Sequence, residues 1–362
     1  MKDQRFRRVS ALREALGRAD LDALLVTSLA NIRYLTGFSG SNALALMTAK
    51  ECVLFTDFRY ATQVQGEVGA SATVRIEASN LWTGLWSQVT ASAGIARIGF
   101  ESLHLVHRDF QRLLEQGARW QWRPTTDLVE VLRVSKDADE ITKIERAIAI
   151  AETALHATVP QIRRGLSETA LAGILEHHLR DAGSEAFPFA SIVASGPRSA
   201  LPHARASDRQ LQTGDFVLLD FGAVFEGYCS DITRTVVLGK ATTLQHDVYD
   251  TVRQANTIAS GAIRVGMQGM AADAVAREYI DARGYGAEFG HSLGHGIGLE
   301  IHEAPRLAKS IDAPLLAGTV VTIEPGIYRA EWGGVRIEDD VLLTDNGPRI
   351  LTSFARDLIE ID

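Results

Sequence analysis

The chain has 362 residues, 46% hydrophobic and 23% charged, and its 37 basic and 45 acidic side chains give a formal charge of −8. That length exceeds one ordinary core and predicts two domains. The acidic balance argues against a nucleic-acid groove or an anionic membrane surface as partner.

In chain order, an amphipathic charged helix is expected to run to Arg18. It lacks the apolar core of a secretory signal, and no uncharged apolar run reaches eighteen residues, so a cytoplasmic protein without a transmembrane helix is expected. The runs "LDALLV", "NIRYLTGFSGSNALALMT", "ECVLFTD" and "ARIGFE", then a helix near "HRDFQRLLEQG", predict a small α/β domain over residues 1–133. A charged break near Ser135 opens a second domain, residues 134–362, which starts with a long amphipathic helix carrying Ile141, Ile144, Ala147, Ile148, Ala151 and Leu155. The next helix, "SETALAGILEHHLRDAG", has a cap region at Ser167 and stops at Gly183. His177 and His178 near its end suit the helix dipole rather than a ligand site. Further on, "DFVLLDFGAVFEGYCSDITRTVVLG" reads as a hairpin turning at Phe225-Glu226-Gly227. Helices at "LQHDVYDTVRQANTIASGAI" and "MAADAVAREYIDARG" follow, then strands in "GTVVTIEPGIY" and "GVRIEDDVLLTDNGPRIL". Helix pairs alternating with hairpins point to an α+β fold rather than a doubly wound sheet.

The stretch "HSLGHGIGLEIHE" concentrates His291, His295 and His302 among glycines. Cys52 and Cys229 are too few for a disulfide framework or a thiolate cage, so any metal here needs oxygen and nitrogen ligands. Candidates are Asp220, Asp231, Glu324 and Glu338, each set in an otherwise apolar run. A carboxylate in a buried strand costs several kcal/mol unless it is paired or bound to a cation. Singly, each reads as a strand-end acid paired with Arg234 or Arg336; together with the histidines, one shared cation site explains all four. Carboxylates with one imidazole suit Mn²⁺, Co²⁺ or Zn²⁺ and can bridge two ions, which is hydrolytic chemistry.

Asp220, Asp231, His295, Glu324 and Glu338, in that order, resemble the two-metal site of the pita-bread metallopeptidases, and "GHGIGLEIHE" is similar to their metal-histidine signature. Residues 1–133 resemble the creatinase-type amino-terminal domain of the aminopeptidase P and prolidase branch, so the likeness covers nearly the whole chain. Methionine aminopeptidases share "HGIG" and "TIEP", but "GGVRIEDD", with Glu338 fourteen residues after Glu324 and Arg336 two before Glu338, resembles the proline-specific branch. Creatinase-like relatives lack the metal carboxylates.

The resemblance implies two divalent ions per subunit, Mn²⁺ first and Co²⁺ or Zn²⁺ tolerated, and a bridging hydroxide as nucleophile. Asp231 and Glu338 would bridge the ions. His203 and His302 would serve the tetrahedral intermediate and the leaving proline nitrogen, His291 would line the proline pocket, and Arg336 would hold substrate near the ions. Asp57, Arg59 and Tyr60 in "FTDFRY" resemble residues presented to a neighbouring subunit, but a surface Asp-Arg pair at a strand end is the favoured reading, and they are left out of the catalytic set. Tyr328 is either a partner of the ligands or plain core. The function implied is a Xaa-Pro aminopeptidase acting on proline-containing peptides, in a homodimer. A Xaa-Pro dipeptidase (prolidase) is the alternative, and a non-catalytic peptide-binding module on the same fold is the third reading.

Overall fold

In the computed structural model the described residues are 4–362, so the first three residues of the expected amino-terminal helix and domain lie outside them. The chain divides into two compact units, one ending at Arg133 and one spanning Val134–Asp362. Among the described residues no helix is long and apolar enough to cross a membrane.

The first unit contains α1 (Gln4–Arg18), β1 (Ala23–Val26), α2 (Leu29–Thr36), β2 (Ala43–Thr48), β3 (Cys52–Asp57), α3 (Gln63–Glu67), β4 (Thr73–Glu77), α4 (Leu81–Ala91), β5 (Arg97–Glu101), α5 (His107–Gln116) and β6 (Gln121–Thr125). Its six strands form one sheet in the order β4-β3-β2-β1-β5-β6, parallel except where β2 runs against both neighbours. The stretch "NIRYLTGFSGSNALALMT", expected as one apolar run, is split into α2 and β2. Gly37, at φ 85°, takes the left-handed turn that stops the helix. α4 is an element not expected from the sequence, and its cap Asn80 accepts the Thr83 amide at 3.1 Å. α6 (Glu130–Val134) leads into the second unit.

The second unit opens with α7 (Ala138–Thr158) and α8 (Glu168–Asp181). Asp137 and Glu140 form a reciprocal capping box on α7, and Ser167 caps α8. Then come β7 (Ile192–Ser195), β8 (Phe216–Phe221), β9 (Val224–Phe225), β10 (Tyr228–Cys229), β11 (Ile232–Leu238), α9 (Thr243–Ala262) and α10 (Gly269–Ala282). The last run is β12 (Gly294–Gly296), β13 (Glu303–Leu307), β14 (Val320–Ile323), β15 (Gly326–Arg329), β16 (Gly333–Arg336), β17 (Asp339–Thr344), β18 (Gly347–Ile350) and β19 (Glu360–Ile361).

Two main sheets result, β19-β11-β8-β7 and β13-β12-β14-β17-β18, with ribbons β9-β10 and β15-β16. Glu226 (φ 45°) and Gly227 (φ 78°) make the tight turn between β9 and β10, as expected for a hairpin whose turn residues need positive φ. Each sheet buries apolar residues under its own helix pair. Ile144, Ile148, Leu171 and Leu175 of α7 and α8 share a core with Val217 and Leu219 of β8. Val252, Ala255, Ala272 and Ala276 of α9 and α10 share one with Val321, Ile323 and Val341. This is the expected α+β architecture, and its two sheets set the stage for the buried acids.

Candidate metal centre

Asp220 is the one proposed ligand acid that lies inside a strand, in β8 opposite Thr233 of β11. The other three, expected within strands, fall in gaps where the chain changes partners. Asp231 lies between β10 and β11, Glu324 between β14 and β15, and Glu338 between β16 and β17. The cause at Glu324 is Pro325, which cannot donate to a ladder, so the chain leaves the sheet for the β15-β16 ribbon. At Glu338 the backbone amide crosses to the Thr233 carbonyl at 3.1 Å before β17 rejoins the sheet. His295, in the middle of β12, is set by its amide bond to Thr322 Oγ1 at 3.1 Å.

Donor atoms of Asp231, His295 and Glu338 all lie within 4.8 Å of one another. His295 Nε2 stands 3.7 Å from Asp231 Oδ2 and 3.6 Å from Glu324 Oε1. Asp220, Asp231, His295, Glu324 and Glu338 line one cavity of about 730 Å³, together with His203, His291, His302 and Arg336. The five proposed ligands and the four proposed catalytic residues therefore line a single cavity.

Burial, then the charge of Glu338, pushes the carboxyls of Asp231 and Glu324 well above the usual range. Burial and Asp220 push Glu338 up to about 8. His295 is pulled down to about 4, chiefly by burial, so it is neutral at pH 7. Its Nδ1 faces the Gly296 carbonyl at 3.1 Å, which places the proton there and leaves Nε2 as a lone pair facing the acids. Crowded anions short of positive charge, with a neutral imidazole aimed among them, form a donor set that fits divalent ions.

Arg336, 3% exposed, supplies positive charge from within the chain. It pairs with Asp220, and donates to Tyr328 Oη at 2.6 Å and Thr233 Oγ1 at 3.1 Å. Tyr328 thus joins the site: its hydroxyl also meets His291 Nε2 at 2.9 Å, and burial pushes it up to about 12. His291 Nδ1 lies 2.8 Å from the Ser292 carbonyl, and burial lowers this histidine to about 4. His203 and His302 are exposed at the cavity rim. The loop carrying His203 is fastened by buried Glu168 of α8, which accepts from Ser195, Arg198 and Ser207.

Of Arg234 and Arg336, the two expected partners for the acids, only Arg336 pairs with a proposed ligand carboxylate, while Arg234 reaches the Glu338 backbone carbonyl at 2.6 Å. Arg234 pairs instead with buried Asp339 at 2.8 Å. His177 is exposed and pairs with Asp181, and His178 meets Gln161. Within the first unit Asp57 grips Arg59 at 2.8 and 2.7 Å at the end of β3, and Tyr60 shares a hydrogen bond with Ser41.

The sequence reading missed three residues. Thr233 donates to Glu338 Oε2 at 2.6 Å, and Asp340 Oδ2 accepts the Asp231 amide at 3.1 Å. Asp340 carried the same signal as the four ligands, an acid entering an apolar strand. Thr233 carried none, since threonine is ordinary in strands. Arg306, exposed on β13, reaches the cavity lining with no ion pair among the described residues.

The pattern described as "Metallopeptidase family M24" matches residues 142–345, and the Creatinase/Prolidase N-terminal domain matches residues 8–135. The chain belongs to metallopeptidase family M24. This M24 hydrolase is 41% identical over 352 residues to the uncharacterized peptidase YqhT of Bacillus subtilis, covering 97% of this chain and 99% of that one. It superposes on an Xaa-Pro dipeptidase from Bacillus anthracis with TM-score 0.95 and 39% identity, over 99% and 100% of the two chains. An X-Pro aminopeptidase from Thermotoga maritima gives 0.89 and 37%, over 98% and 99%. M24 metallopeptidases imply divalent ions, in keeping with the acid-rich donor set.

Proposed function

We propose that this M24 metallopeptidase is an exopeptidase that hydrolyses the bond between an amino-terminal residue and a following proline. The observation that carries the reading is the convergence of three buried carboxylates, the half-buried Glu324 and His295 on one cavity whose rim presents His203, His302 and Arg306. Asp220, Asp231, His295, Glu324 and Glu338 would hold the divalent ions, which would supply Lewis acidity for water and for the scissile carbonyl. Two ions per subunit, Mn²⁺ first, a homodimer and a cytoplasmic setting belong to the same reading.

The chain's own groups do the rest. A Xaa-Pro bond is a tertiary amide, so its nitrogen must gain a proton as it leaves. The His302 imidazole, held below its usual value by burial and by the Arg306 charge, is a neutral base that takes up a proton and passes it to that nitrogen. His203 donates to the developing oxyanion. Tyr328 and Arg336 hold His291 and Asp220 in place around the proline ring.

Arg306 favours dipeptides, because an unpaired guanidinium at the rim matches the free carboxylate of a terminal proline. The likeness to the Thermotoga X-Pro aminopeptidase favours the second reading, removal of one residue from longer chains. Mass-spectrometric product analysis of Mn²⁺-loaded protein given Ala-Pro, Ala-Pro-Ala and Ala-Ala-Ala decides between them. Cleavage of Ala-Pro alone is the dipeptidase result, and loss of alanine from Ala-Pro-Ala is the aminopeptidase result. Cleavage of neither, with metal bound, rejects the proposal, as would near-full activity of Glu338→Ala.

A further inference from the structure

Glu303 ends the histidine-rich stretch and has no place in the ligand set, yet its side chain is 6% exposed. Its Oε2 accepts from Lys136 Nζ at 3.0 Å, and that lysine side chain is 1% exposed. Its Oε1 accepts the Glu300 amide at 3.1 Å. The carboxylate also fills the notch over Gly298, where an added Cβ would meet its two oxygens at 2.6 and 2.7 Å. Gly298 is tied in turn, its amide to the Glu300 carbonyl at 3.1 Å and its carbonyl to the Cys229 amide at 2.8 Å. The loop between β12 and β13 is therefore closed on one buried carboxylate and pinned to β10, two residues before Asp231.

His302 sits in that loop, immediately before Glu303, with its ring 4.4 Å from the His295 ring. The deeper histidines of the cavity are oriented by hydrogen bonds of their own, His291 to Tyr328 and Ser292, His295 to Gly296. Among the described residues no hydrogen bond holds the His302 imidazole, so its direction comes from the backbone of its loop. Removing either member of such a buried pair leaves the other out of water without a partner, which is costly. Lys136 is itself anchored, its amide bonded to the Gly318 carbonyl at 2.8 Å.

We propose that Glu303 and Lys136 are positioning residues: their buried ion pair sets the loop that aims His302 at the leaving nitrogen. This rests on the role given to His302 above. The consequence is selective, because the pair sets the loop that bears His302 and so governs the approach of one imidazole to the reacting atoms.

The test is a double-mutant cycle on Ala-Pro with the Mn²⁺-loaded full chain, using Glu303→Gln, Lys136→Met and His302→Ala, with metal content measured for each. Displacing a proton-transfer group by about 1 Å costs on the order of a hundredfold. Glu303→Gln and Lys136→Met should each lower kcat roughly ten- to a hundredfold, with KM changed less than about threefold and metal content unchanged. In the His302→Ala background either change should cost less than about twofold. Equal factors in both backgrounds overturn the proposal, and so does metal loss in proportion to activity. Should a single variant fail to fold, the Glu303→Gln/Lys136→Met pair, which leaves no unpaired charge, takes its place in the cycle and is read in the same way. His302→Ala with full kcat refutes the role of His302 itself, a failure distinguishable from simple additivity.

Discussion

Replacing Arg336 by Met tests whether the acid cluster is balanced from within the chain before any ion binds. Among the described residues lining the cavity, Arg336 is the buried cation. Its loss leaves Asp220 unpaired beside Glu338, and removing one member of a buried pair costs about 3–5 kcal/mol. The two lost side-chain bonds add little, because Tyr328 keeps His291 and Thr233 keeps Glu338. Against a total stability of about 5–15 kcal/mol, that loss is large. Bound ions bring their own positive charge to the same carboxylates, so the cost with saturating Mn²⁺ should fall to roughly 1–2 kcal/mol. Urea unfolding in EDTA and in Mn²⁺ measures both. Arg336→Lys, which keeps the charge but not the planar fork, should fall between wild type and Met. Equal losses in the two conditions, or a loss below about 1 kcal/mol in EDTA, would refute the account of Arg336 as a built-in counter-ion.

Two further outcomes follow from the same site. The EDTA-treated protein should melt at lower temperature at pH 8.5 than at pH 6.5. Glu338 is raised to about 8, so the stability it contributes is fully present below its unfolded value and is lost as pH rises toward 8. His291 and His295, lowered to about 4, contribute in the opposite sense, gaining up to about pH 6.5 and nothing above it. A metal-free melting temperature that rises between pH 6.5 and 8.5 would contradict the crowding of the acids. Arg306→Met should raise KM for Ala-Pro about ten- to a hundredfold, the worth of a charge-assisted hydrogen bond, and hardly affect Ala-Pro amide. Equal effects on the two substrates would remove Arg306 from carboxylate recognition.

The local chemistry of the chain determined the helices and the tight hairpin. Asp137 with Glu140, Ser167, and the Glu226-Gly227 pair act within a few residues of themselves, so their signals survive without any tertiary context. The ligand candidates were legible for a related reason: an acid in an apolar run advertises an unmet charge wherever it folds. The same signal marks Asp339 and Asp340 of "EDD", which open an apolar strand and are met by Arg234 and by the Asp231 amide. Only the tertiary structure decided where the strands break. Asp231, Glu324 and Glu338 stand in gaps between strands because two sheets and two ribbons exchange the chain there, and hydrophobic alternation does not register a change of partner. Which arginine meets which acid was likewise undetermined, since Asp220 and Arg336 are far apart in the chain and join only when β8 and β16 pack. The pairing of Lys136 with Glu303 has the same character: a charge reads as surface in sequence, and only packing reveals that both members are buried together.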